Sequence, residues 1–122
     1  MELMVTMVII GVLATIAIKV FWDAKNRSLQ SSLQTDLKSL AMYQEQYFSD
    51  YDAYASTTAE LPQFRTSPGV AISITNAQAE GWAATANHPG IPDTQCGLFI
   101  GAVSAADAPP ATQPGIVMCT GQ

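Results

Sequence analysis

Few side chains in this 122-residue chain stand where they could do chemistry. Glu2 precedes a stretch, Leu3 to Ile18, that holds no charge. A carboxylate entering hydrocarbon is costly unless it is paired. Glu2 can therefore dock against a cationic amine on a neighbouring copy, or it can sit in a lipid headgroup layer. Cys96 and Cys119 are the only cysteines. A distant even pair in an exported head reads as one disulfide, the alternative being two free thiols. They form no CxxC motif, and with His88 as the sole histidine they cannot complete a structural zinc site. His88, beside Pro89, reads as a solvated loop residue. Asp93 and Asp107 fall well short of the roughly six to eight oxygens that calcium takes. Ser104 lacks the glycines of a nucleophile elbow, and no phosphate-binding, dinucleotide or zinc-protease pattern occurs. No catalytic, cofactor-binding or metal-binding residue is assigned, and no enzyme is expected.

The elements that position these residues follow from a division of the chain. Leu3 to Ile18 reads LMVTMVIIGVLATIAI, and Lys19 to Trp22 extends it to the length of a bilayer span. Phe21 and Trp22 suit a membrane–water boundary, and Lys19 can reach outward to it. No basic segment precedes the run and no small-residue cleavage site follows it, so it does not read as a cleaved signal. The rest of the chain is acidic and polar. Net charge is −5, which argues against nucleic acid as a specific partner because phosphate contacts need clustered Lys and Arg.

No Pro or Gly occurs from Val12 to Glu60. Leu29, Leu33, Leu37, Leu40, Tyr43, Tyr47, Tyr51 and Tyr54 recur every three or four residues, the period of one helical face. Gln30, Gln34, Lys38 and Gln46 mark the opposite face. The spacing predicts one helix over residues 1–55, apolar on all sides over 1–22 and amphipathic over 23–55. The four tyrosines are expected between helix and sheet, with their hydroxyls reaching polar edges. The apolar half cannot remain in water alone; it belongs in lipid or in a bundle of its own kind. Its burial is worth on the order of 10 kcal/mol.

After residue 55 the pattern changes. Residues 56–68 read as a connecting loop. From Gly69 the period becomes two, with Val70, Ile72 and Ile74 on one face of a first strand. Gly81–Ala86, anchored by Trp82, Cys96–Val103 and Gly115–Cys119 read as three more strands, separated by loops rich in Pro, Gly and Asn. The expected fold is α+β: a long N-terminal helix on a small antiparallel sheet of about four strands, the head spanning 56–122.

The run MELMVTMVIIGVLATIAI resembles the mature N-terminus of type IV pilins and type II secretion pseudopilins. In that family an apolar helix begins beside a glutamate, carries a glycine midway and ends in a run of small apolar residues. Glu2, Gly11 and the segment from Ala14 to Ile18 take those places. The resemblance implies Glu2 as the residue that sets register on polymerisation and Gly11 as a point of mid-helix flexibility, where a glycine weakens a helix by about 1 kcal/mol. It also implies a disulfide-bounded C-terminal loop over 96–119. Two departures stand out. The family carries further residues before the position of Met1, so the true start is expected upstream. Lys19 stands where the family has proline, so less local melting is expected. The resemblance implies a homopolymer of identical subunits, held in the lipid bilayer of the inner membrane before assembly machinery there moves it into an extracellular filament. Such filaments support adhesion, motility or DNA uptake. A minor pilin or a secretion pseudopilin is the alternative within the family. A membrane-anchored receptor with a soluble head is the alternative outside it.

Overall fold

The computed structural model describes residues 1–120. Helix α1 runs over Glu2–Tyr51, 50 residues without a break. It passes straight through Gly11 and Lys19, as expected of a helix with no internal proline. It ends three residues before the aromatic stripe does. Asp52 adopts a left-handed conformation (φ 57°) and its N–H donates to the Phe48 carbonyl oxygen at 2.8 Å, closing the helix. The last turn carries Asp50 and no base, which is unfavourable at the negative end of the helix dipole. Periodicity alone carries no information about that end, so the predicted limit near residue 55 is corrected to Tyr51.

Four strands follow as an antiparallel meander, in the order β1 (Ala71–Gln78), β2 (Gly81–Asn87), β3 (Gln95–Gly101) and β4 (Met118–Cys119). β1 continues through Asn76 to Gln78, beyond the alternation of Val70, Ile72 and Ile74. A bulge makes this possible: the register steps from Ile74 opposite Ala84 to Asn76 opposite Ala83, leaving Thr75 as the extra residue. The Thr75 hydroxyl is used by the Asp107 carbonyl oxygen. β3 stops at Gly101 rather than at Val103. Gly101 is left-handed (φ 82°), and a Cβ there would lie 2.0 Å from the Glu80 carbonyl oxygen. β4 is shorter than the predicted Gly115–Cys119 because Gly115 turns away to donate its N–H to the Phe99 carbonyl oxygen at 2.8 Å.

The sheet is covered on both faces. Trp82, Ala84, Ala86, Cys96 and Leu98 point to α1 and pack with Leu33, Leu37 and Leu40. Ala83 and Phe99 point the other way and are covered by Val103, Ala108 and Ala111 of the C-terminal loop. Gly97 allows that loop to lie close, since a Cβ there would come within 2.2 Å of the Ala108 carbonyl oxygen. This double cover is why β2 is buried almost continuously instead of alternating. Each fully buried leucine on α1 contributes about 2 kcal/mol to holding the helix on the sheet.

Candidate functional site

The largest apolar surface of the molecule lies outside its core. Every residue from Met1 to Ser28 is exposed, because the head begins to cover α1 only at Leu29. At 1.5 Å per residue this free arm is about 42 Å long. Its apolar part, from Leu3 (75 % exposed) to Trp22 (52 % exposed), is about 30 Å long and matches the hydrocarbon thickness of a bilayer. α1 is long and apolar enough in this region to cross a membrane.

The two hydroxyl groups between Leu3 and Trp22 are already satisfied. The Thr6 hydroxyl donates to the Glu2 carbonyl oxygen and the Thr15 hydroxyl to the Gly11 carbonyl oxygen, both at 2.9 Å. Both hydroxyls can thus enter an apolar surrounding without losing a water bond. Glu2 lies in the first turn, where the positive end of the helix dipole favours a carboxylate. A Cβ on Gly11 would meet nothing within 4 Å, so no packing inside the subunit asks for glycine there. At the head end of the arm Lys25 Nζ stands 5.0 Å from the Trp22 ring centroid, a cation–π contact at the expected boundary.

Cys96 and Cys119 lie directly opposite each other in β3 and β4 and are joined by a disulfide. The bond faces α1, where Gln34 Nε2 is 3.7 Å from Cys119 Sγ. Gln34, expected on the solvent face, is half-buried against this bridge.

The tyrosines divide. Tyr43, Tyr47 and Tyr54 pack against the edge of the core, Tyr43 meeting Phe64 edge-on at 5.6 Å between ring centroids. Tyr51 does not join them. It is 67 % exposed, and its ring lies over that of Tyr47 at 4.5 Å. The chain leaves the helix immediately after Tyr51, so the sheet never reaches that turn. Tyr54 lies beyond the helix, stacked on Phe48 at 4.8 Å. Burial raises the Tyr47 hydroxyl pKa, and the neighbouring Glu60 carboxylate raises it further. Burial and then Glu45 do the same for Tyr54, whose hydroxyl donates to Glu45 Oε1 at 3.4 Å.

Two residues that periodicity passes over prove central. Asp36 and Gln44 are buried on α1 among the leucines. Asp36 accepts the Ser67 N–H at 2.7 Å and the Ser67 hydroxyl at 3.0 Å. Gln44 grips the backbone of Ala55. Both share the helical spacing of Leu33, Leu37 and Leu40, a signal that exists in the sequence but is hidden by their polarity. His88 is also corrected. It is half-buried, with Nδ1 accepting the Gly90 N–H at 2.9 Å and Nε2 3.1 Å from the Pro68 carbonyl oxygen. It bridges two loops. Asp107 accepts from Asn76 Nδ2 at 2.8 Å, and among the described residues no group of His, Cys, Asp or Glu is placed to hold a metal.

A long helix, free and apolar at one end and packed on a four-stranded antiparallel sheet at the other, is an α+β fold consistent with the type IV pilins. The chain is also 43 % identical over 60 residues to the type IV major pilin protein PilA of Myxococcus xanthus (strain DK1622). The matched residues make up 49 % of this chain and 27 % of that relative, so the chain spans about a quarter of the protein it matches. No family model matches. The likeness to a type IV pilin therefore rests on the fold and on a local sequence match.

Proposed function

We propose that the chain is the structural subunit of an extracellular helical filament of the type IV pilus kind. Residues 1–55, helical as far as Tyr51, form the membrane and polymerisation segment, and residues 56–122 form the displayed head. The observation that carries this reading is the free apolar arm. Its surface from Leu3 to Trp22 is left uncovered by its own head, and monomeric soluble proteins rarely carry so large an apolar patch. In the inner membrane the arm is solvated by lipid. Assembly machinery there would transfer it into a bundle of identical arms, in which the apolar surface is buried a second time. Much of the burial energy is exchanged in that step rather than gained. Register then depends on the costly polar group at the arm's end, Glu2, which is neutralised only when a cationic partner on a neighbour lies level with it. The arms bury the polymer's core and the heads form its surface, so adhesion, motility or DNA uptake would be served by the heads, and no catalytic step is required.

Electron microscopy of shear fractions from cells making the protein tests this, with Glu2 intact or changed to Ala. Thin filaments are expected from the unaltered protein and sharply fewer from Glu2→Ala. Filaments that form only with a second pilin present would identify a minor pilin or a secretion pseudopilin. Protein that stays in the membrane fraction, with no filaments under either condition, would leave a membrane-anchored receptor.

A further inference from the structure

Where the head leaves α1, an open cleft of about 220 Å³ lies between the last turns of the helix and the loop that follows. Its walls combine rings with carboxylates: Tyr43, Tyr47 and Tyr51 with Asp50 and Glu60, closed below by Leu61. Glu60 is fixed in place, accepting the Ser56 N–H and the Ser56 hydroxyl at 3.1 Å each. Aromatic faces beside fixed carboxylates suit a planar cation, which can stack on the rings while its N–H groups meet the acids.

The chain carries such a cation where it cannot use it itself. Arg27 is exposed at the head end of the free arm. It lies about 35 Å along the same straight helix from Asp50, and about 140° around it. A rigid rod cannot fold back to bring the two together. Lys25 is less suited, since it already rests on Trp22 of its own arm. Arg27 stands on a side of α1 that the head leaves open, nearly opposite the cleft. Two parallel copies placed side by side with an axial offset of about 35 Å would bring the Arg27 of one level with the cleft of the other. Donor and acceptor surfaces differ, so the contact is heterologous and repeats without closing, as a filament requires.

We propose that the Tyr47–Tyr51–Asp50–Glu60 cleft is a docking site for Arg27 of a second copy of this chain, and that this contact sets the axial stagger of the heads. The inference rests on the filament reading above. Charge reversal tests it in the full-length protein in cells, read as filament mass in sheared, sedimented fractions. Arg27→Glu and Asp50→Arg are each expected to cut filament yield roughly tenfold, since like charges forced together at an interface are strongly unfavourable. The double variant, with the charges exchanged, is expected to recover most of the yield. Single variants that stay within twofold of the unaltered protein would overturn the docking site while leaving the filament reading intact. So would a double variant no better than either single one. Absence of filaments from the unaltered protein would overturn both.

Discussion

The side-chain amide of Gln44 closes a pair of hydrogen bonds with the backbone of Ala55: Nε2 donates to the Ala55 carbonyl oxygen at 3.0 Å, and Oε1 accepts the Ala55 N–H at 2.8 Å. Gln44 and Ala55 are both fully buried. The contact fastens the chain just past the helix back onto α1, and so fixes where the head begins. A carboxamide offers one donor and one acceptor side by side, which is what an unpaired backbone unit needs. Replacing Gln44 by Leu leaves both Ala55 groups buried without partners. A loss of about 2–3 kcal/mol is expected, read from the denaturant midpoint of the detergent-solubilised protein. Gln44→Met, apolar and close to glutamine in volume, should cost about as much as Gln44→Leu if the hydrogen bonds, and not the side-chain volume, are what matter.

The Cys96–Cys119 bond joins the two-residue strand β4 to the sheet across a sequence separation of 23. So short a strand has little hydrogen bonding of its own. Changing both cysteines to Ser should cost about 3 kcal/mol through the loop entropy regained on unfolding. The effect should be local as well as global. Limited proteolysis is expected to cut the segment between Val103 and Gly115 sooner in the Ser variant, and equal cutting rates would mean that the loop is held by Gly97, Phe99 and Ala108 alone.

Alkaline pH provides a separate test of the cleft. The Tyr47 and Tyr54 hydroxyls are both raised above their ordinary value of 10.0, by burial first and then by Glu60 and Glu45 respectively. A group whose folded-state pKa is raised contributes stability that is fully present below the unfolded value and is lost as pH rises through the folded one. Stability should therefore not vary with pH through these residues near neutrality, where their contribution is fully present, and should fall above pH about 10. An ultraviolet titration of tyrosinate should show Glu60→Gln moving Tyr47 back toward its ordinary value without moving Tyr54, and Glu45→Gln doing the reverse. A common shift of both tyrosines in either variant would point to general loosening.

Much of the layout is legible in the residues because the signals are periodic and local. An apolar run that reaches bilayer length reads as a helix in lipid or in a bundle, and β1 shows its alternation in Ile72 and Ile74. The polar residues of the interior are harder to see. Asp36 and Gln44 sit on the leucine spacing, yet polarity places them on the surface in any reading that sorts residues by hydropathy. Their burial is stable only because Ser67 and Ala55, 31 and 11 residues away, supply matching groups.

The sequence by itself therefore determined the long helix, its apolar half, the change to period two and the spacing of the cysteines, since each follows from chemistry within a few turns or one strand. Tertiary structure alone decided where α1 ends, that β4 has only two residues, that Tyr51 lies outside the helix–sheet contact, and that a cleft of rings and carboxylates opens beside it. Those features depend on which backbone groups meet across the fold, and hydrogen bonds between distant segments leave no period in the chain. The free arm belongs to both levels: its composition is written in the first 22 residues, but that the head leaves it uncovered is a property of the folded molecule.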